Sequence, residues 1–303
     1  MDDESSGLMD IVDDFLSRPA FEVLEPAAQR TALVFNSPHS GRCYPRSFLA
    51  ASRLDARAIR RSEDAFVDTL FAGVVAQGAP LMRAHFPRAY LDVNREPYEL
   101  DPRMFAGRLP GYVNARSVRV AGGLGTIARI VADAEEIYAR PLEVAEGLDR
   151  IERIYKPYHA ALRRLVARTQ ARFGVALLVD CHSMPSQLRT SDTRPRPDVI
   201  IGDRYGTSAA PALVEAAAAI LVDLGFSVGR NRPYAGGFIT EHYGRPAQAV
   251  HALQIEVNRG LYMDETYCEP SDGFAATAAR LERFCLGLAD ALDGGPMLAA
   301  AAE

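Results

Sequence analysis

Apolar residues fall along this chain in two rhythms, and the rhythms alternate. Short unbroken apolar runs, closed by polar residues or glycine, predict buried strands at residues 33–36, 176–179, 199–201, 226–228 and 250–257. Residues 80–86 and 90–93 read as further strands or strand fragments. Helical spacing predicts a helix over 64–77, through Phe66, Val67, Leu70, Phe71, Val74 and Val75. A longer one spans 143–173, with Ile151, Ile154, Tyr158, Leu162, Leu165 and Val166 on one side and Pro157 set to kink or divide it. Two more helices follow, an alanine-rich one over 209–224 stopped by Gly225 and a closing one over 274–292. A short helix is expected near residues 11–16, within a lead-in that ends near residue 30, and the tail after Gly294 is expected to fray. Strand and helix alternate throughout, which defines an α/β fold with a largely parallel or mixed sheet.

The polar residues that interrupt this pattern are concentrated at strand ends. The run Val179-Asp180-Cys181-His182-Ser183-Met184-Pro185 turns a buried strand directly into a polar trio and a proline. Asn36-Ser37-Pro38-His39-Ser40-Gly41 does the same after the first core strand. Open α/β sheets place their sites at such carboxyl ends. Two histidines delivered by separate strand ends suggest one metal ion, with one or two carboxylates completing the set. Side chains alternate along a strand, so Asp180 and His182 share a face and Cys181 points away into packing.

Three other clusters carry chemistry. Glu63, Asp64 and Asp68 open the 64–77 segment, and a helix dipole accounts for one acid there more readily than for all three. In Leu253-Gln254-Ile255-Glu256-Val257-Asn258 the apolar residues alternate with Gln254, Glu256 and Asn258. That polar face is either solvated or lines a cleft, and in the second case Glu256 is a candidate general base. Asn94 and Arg95 follow the 90–93 segment. A guanidinium there suits a substrate carboxylate through two parallel hydrogen bonds, or else forms a structural pair with an aspartate. Gly236-Gly237 can bring backbone close to a ligand, or make only a turn. Residues 96–140, rich in Pro, Gly and Arg, form an irregular stretch of a length that is more often functional than idle.

Composition narrows the partners. The chain has 303 residues, 48% hydrophobic, enough for one large α/β domain or two smaller ones. The net charge of −5 and the lack of any basic block argue against nucleic acid. No apolar run is long enough to span a bilayer. Lys156 is the single lysine and has no catalytic company, which sets Schiff-base chemistry aside. The four cysteines, at 43, 181, 268 and 285, form no CxxC pair, and the acidic start lacks the form of a secretion signal, so a reduced cytoplasmic protein is expected.

Taken in order, several of these segments resemble the N-formylglutamate amidohydrolase family. The resemblance rests on Ser37-Pro38-His39-Ser40-Gly41, Glu63-Asp64 with Val67-Asp68, Asp92-Val93-Asn94-Arg95, Asp180-Cys181-His182-Ser183, Gly236-Gly237-Phe238-Ile239-Thr240 and Gln254-Ile255-Glu256. That family is similar to the zinc carboxypeptidases and to aspartoacylase-like deacylases. The resemblance implies a phosphorylase/hydrolase-like fold, a single domain with a mixed central sheet flanked by helices. It places a lead-in at 1–30, a catalytic domain at 31–293 and a tail at 294–303. It also implies one zinc ion per chain and a small N-acyl amino acid as substrate, cleaved at its amide, with formate and glutamate as products if the acyl group is formyl.

By position, His39 and His182 take the zinc-ligand roles, Asn94 and Arg95 hold the substrate carboxylate with Gly236, Gly237 and Thr240 nearby, and Glu256 activates water. The relatives carry a glutamate three residues after the first histidine, where this chain has Arg42. The third ligand is therefore expected from Asp64, with Glu63 as the alternative. Arg103 and the arginines at 116 and 119 are candidates for selecting the acyl acid. Two other classes stay open: a metal-free amidase with Cys181 as nucleophile, and a non-catalytic ligand-binding protein of the same fold.

Overall fold

A computed structural model describes residues 9–13, 15, 18–131, 134–187 and 196–293. A seven-stranded sheet runs in the order Val228–Arg230, Val199–Gly202, Val250–Asn258, Ala176–Met184, Leu33–Ser37, Leu81–Ala84 and Phe21–Leu24. Ala176–Met184 is the middle strand and is buried along its whole length, as its apolar run requires. It pairs in parallel with Leu33–Ser37 on one side and Val250–Asn258 on the other. Val199–Gly202 joins antiparallel to Val250–Asn258, which makes the sheet mixed.

Register then aligns the polar positions. Asn36 lies opposite Asp180, and Asp180 opposite Gln254, in one row across three strands. His182 lies opposite Glu256 in the next row. Directly opposed residues on neighbouring strands present their side chains on the same face, a few ångströms apart.

Contacts divide the chain into two compact units. One comprises Met1–Glu22, Pro38–Ala65 and Ala84–Ala161, the other Val23–Ser37, Phe66–Arg83 and Leu162–Glu303. The second holds the sheet, apart from the outer ends of its last two strands. It also holds the helices Pro211–Asp223 and Phe274–Asp293, which pack on each other where Gly287 lets Ile220 approach. The first unit is built around Arg150, whose buried guanidinium lies 4.0 Å from the centre of the Tyr90 ring. That guanidinium donates to the Tyr90 carbonyl at 3.1 Å and to the Tyr138 hydroxyl at 2.8 Å. The described residues of 96–140 are largely irregular, with short helical turns at Pro102–Met104 and Val118–Ala121 and a two-residue strand at Phe105–Ala106. Among the described residues no helix is long and apolar enough to cross a membrane.

Several local expectations change. In place of a helix near 11–16, Asp10–Val12 is a strand paired in parallel with Cys43–Pro45, since Asp10 N–H finds the Arg42 carbonyl at 3.0 Å. Residues 1–8 and the tail at 294–303 lie outside the described residues. The 64–77 segment shrinks to an α-turn at Val67–Leu70 and a 3-10 turn at Ala72–Val75. Phe66 adopts a left-handed conformation, φ 64°, so no helix can run through it. Glu63 and Asp64 thus precede the helical turn, and only Asp68 occupies its first turn.

Tyr90–Val93 is not a strand either. Asp92 Oδ1 accepts from the Asn94 amide at 2.8 Å, a local turn that competes with sheet pairing. The long helix does divide before Pro157, into Val144–Arg150, a π-turn at Ile151–Tyr155 and Lys156–Phe173. A proline without an N–H removes the ordinary i→i−4 bond at that point.

Candidate metal centre

The strand side of the site follows from alternation. Asp180 and His182 project from the same face of the middle strand, and His182 Nε2 meets Asp180 Oδ2 at 2.9 Å. The other oxygen of Asp180 accepts from the Asn36 side-chain amide at 2.8 Å, across the strand pair. On the neighbouring strand, Gln254 donates to Glu256 Oε1 at 2.8 Å and accepts from the Gly237 amide at 2.8 Å. Glu256 is therefore buried and held at a fixed angle, on the strand position opposite His182. Cys181 points the other way. Full burial, with Cys285 and Asp180 nearby, pushes its thiol well above the ordinary value, which removes it as a nucleophile near neutral pH.

The loop side is built inside the first unit. His39 Nε2 lies 2.8 Å from Asp92 Oδ1, and His39 Nδ1 lies 3.3 Å from Asp64 Oδ2. Asp64 is set there by its own backbone, because its N–H donates to the His39 carbonyl at 3.0 Å. Asp92 also accepts from Arg88 at 2.8 Å and has Arg95 Nη2 at 3.6 Å. Burial alone would raise the pKa of Asp92. Arg95, His39 and Arg88 outweigh it and hold the carboxyl well below the usual range. Glu63 faces different partners: Arg60 clamps both its oxygens, at 3.0 Å each, and the Tyr44 hydroxyl donates to it at 2.6 Å.

One ligand atom from each of His39, Asp64 and His182 lies within 4.8 Å of the other two, and all three residues are buried. The donor set suits a metal such as zinc, with two imidazoles, one carboxylate and room in a tetrahedron for a further group. The tautomers fit as well. Each ring presents Nε2 to a carboxylate, Asp92 or Asp180, which can only accept, so each ring donates Nε2–H and leaves Nδ1 as the basic nitrogen. Outer carboxylates orient and strengthen metal-binding histidines in this manner.

The other expected residues are placed as follows. Arg95 donates Nε to the Leu124 carbonyl at 2.9 Å and Nη1 to the Asn94 carbonyl at 2.8 Å. Asn94 is buried beside it. Gly236 has φ 109°, and a Cβ there would come within 3.1 Å of Thr240. Thr240 is fully buried, and its hydroxyl has no hydrogen-bond partner among the described residues. Arg103 turns to Asp101, with bonds of 2.9 and 2.7 Å, and Arg116 is exposed. Sequence reasoning did not give Asp92, Asp180, Asn36 and Gln254 their supporting roles. The i, i+2 spacing of Asp180 and His182 was a signal for one of them.

A mixed sheet with a buried His–Asp–His group, each ring backed by a carboxylate, defines the class as an α/β protein with a side-chain group that could hold a metal ion. The comparisons with known proteins narrow this further. The family model for N-formylglutamate amidohydrolase matches residues 31–263, and the chain belongs to that family. It is 30% identical over 241 residues to an N-formylglutamate deformylase of Pseudomonas putida, covering 78% of this chain and 84% of the relative. It is also 30% identical over 247 residues to an N-formylglutamate deformylase of Pseudomonas aeruginosa, covering 80% and 86%. The crystal structure of N-formylglutamate amidohydrolase from Ralstonia eutropha JMP134 superposes with a TM-score of 0.85 at 37% identity, over 90% of this chain and 98% of that one. A structure from Agrobacterium tumefaciens shares the fold, with a TM-score of 0.64 at 19% identity, over 90% and 96%.

Proposed function

We propose that this protein is a zinc-dependent amidohydrolase that cleaves the formyl amide of N-formylglutamate, giving formate and glutamate. The observation that carries the reading is the buried His39–Asp64–His182 group, with each imidazole backed by a carboxylate, in a chain whose relatives are named N-formylglutamate deformylases. His39, Asp64 and His182 would hold the ion. Asp92 and Asp180 keep the two rings in the tautomer and orientation that ligation needs. Zinc, when bound, supplies Lewis acidity toward the acyl oxygen and the attacking water. Residues 31–293 would form the catalytic domain.

Proton movement falls to Glu256. Its carboxylate is buried and steadied by Gln254, so it can take a proton from water and pass it to the leaving nitrogen as the C–N bond breaks. Arg95 and Asn94 would hold the α-carboxylate, with the Gly236–Gly237 backbone and Thr240 shaping the far side of the substrate. Fixing a carboxylate converts binding into orientation of the amide.

The test combines metal content with turnover. Protein purified without added metal is expected to hold about one zinc per chain and to release formate and glutamate from N-formylglutamate. Removal of zinc by a chelator is expected to abolish release, and added zinc to restore it. Full activity in metal-free protein would overturn the reading, and zinc-loaded protein with no turnover of any N-acyl amino acid would make the chain a binding protein.

A further inference from the structure

Around Arg95 the first unit gathers two further arginines, Arg88 and Arg119. Arg88 and Arg95 share Asp92, at 2.8 and 3.6 Å. Arg119 is tied to the same place through one residue: Arg95 Nε donates to the Leu124 carbonyl at 2.9 Å, and the Leu124 amide donates to the Arg119 carbonyl at 2.8 Å. The turn that carries Arg119, Val118–Ala121, is fixed at its start by Ser117, whose hydroxyl accepts from the Val120 amide at 3.1 Å.

The Arg119 side chain is 33% exposed, yet among the described residues its guanidinium makes no hydrogen bond. Its carboxylate neighbour, Glu99, stands 3.6 Å away, beyond hydrogen-bond reach, and Glu99 already accepts from the Glu96 amide. Burial, with Arg88 and Arg119 nearby, pulls the pKa of Arg95 down against the opposing effect of Asp92 and Glu99. A solvated surface arginine has neither this burial nor this company.

We propose that Arg119 is a specificity-determining residue that binds the side-chain carboxylate of an acidic acyl amino acid, next to the α-carboxylate held by Arg95. This rests on the N-formylglutamate reading above. A planar guanidinium with no hydrogen bond of its own matches a carboxylate through two parallel N–H···O bonds. A second substrate carboxylate would supply the hydrogen bonds that Arg119 lacks, whereas a neutral side chain would leave it with only the longer contact to Glu99.

The experiment compares N-formyl-L-glutamate with N-formyl-L-glutamine, which differ only in that carboxylate, on wild type, R119Q and R119K. Hydrogen bonds to charged groups correspond to about a 10- to 100-fold effect. R119Q is expected to lose about that factor in kcat/KM on N-formyl-L-glutamate, mostly through KM, and to change little on N-formyl-L-glutamine. R119K, which keeps the charge without the fork, is expected to fall between. Equal losses on both substrates, or no loss on either, would overturn the proposal, and R119K decides the matter if R119Q fails to fold. Calorimetric binding of L-glutamate and L-glutamine separates this from the parent reading. Wild type that turns over neither formyl substrate but prefers L-glutamate, with the preference lost in R119Q, would keep the Arg119 assignment and refute the activity. A wild type with turnover but no preference for the acidic side chain would do the reverse.

Discussion

The two histidines of the candidate centre are supported in the same way chemically and in opposite ways structurally. His182 and its carboxylate Asp180 are two residues apart on the central strand, and Asp180 is steadied by a neutral amide from Asn36. His39 and its carboxylate Asp92 are 53 residues apart, both on loops, and Asp92 is steadied by Arg88 and Arg95. The difference is one of rigidity and charge. A strand inside a parallel ladder fixes side chains by backbone hydrogen bonds, so a neutral neighbour is enough. A loop lacks that ladder, and here charge-assisted bonds do the fixing. The loop side consequently carries the arginines proposed to recognise an anionic substrate, while the strand side carries Glu256, the group proposed to move the proton.

The largest expected effect tests that division. Glu256→Gln keeps the side chain's size and its contact with Gln254, so fold and zinc content are expected to stay at wild-type levels. Loss of a positioned general base is typically worth about 10²–10⁴-fold, and formate release should fall by at least about 100-fold with little change in KM. A variant that keeps zinc and more than roughly a tenth of the turnover would remove the chemistry from the strand side.

The next effect separates the two supporting carboxylates. Asp92→Asn and Asp180→Asn should each weaken zinc binding by about 10- to 100-fold, the usual cost of losing an outer-shell partner. They should differ in stability. Asp180→Asn alters the bonds to the Asn36 amide and the His182 ring, both of which a neutral side chain can still meet. Asp92→Asn strands Arg88 and Arg95 beside a neutral group, and removing one partner of a buried ion pair costs about 3 kcal/mol. Metal titration paired with urea unfolding measures both quantities, and equal stability losses would mean that the arginines do not hold the loop.

This contrast also explains what the sequence made legible. The alternating fold, the central strands and the shared face of Asp180 and His182 follow from local periodicity, and the structure has them. The loop side depends on contacts that no period encodes. Asp92 reaches His39 only because residues 90–93 form a turn, and Asp64 reaches it only because Phe66 breaks the expected helix. Apolar spacing over 64–77 reads as helix because nearly all of its large side chains are buried, and spacing cannot distinguish a helix from a chain buried on several sides. Glu63 and Asp64 look equivalent in the sequence. Only the placement of Arg60 and Tyr44 around Glu63 tells them apart.

The smallest effect is the pH dependence of the loop side. The carboxyl of Asp92 is held below its ordinary value despite burial, by Arg95, His39 and Arg88. A carboxylate depressed in the folded state adds stability that is fully present above its unfolded pKa, about 3.9, and is lost as pH falls through the folded value. Wild type should therefore keep a constant contribution from this group between neutrality and about pH 5, and lose it progressively below about pH 4. In Asp92→Asn that contribution is absent at every pH, so the stability gap between variant and wild type should narrow as the solution is acidified. Urea unfolding of the zinc-free proteins at pH 7, 5 and 3.5 measures the gap without interference from metal release. A gap of constant size down to pH 3.5 would mean that the arginines stabilise the Asp92 loop by packing rather than by charge, and the contrast between the two sides would then be one of rigidity alone.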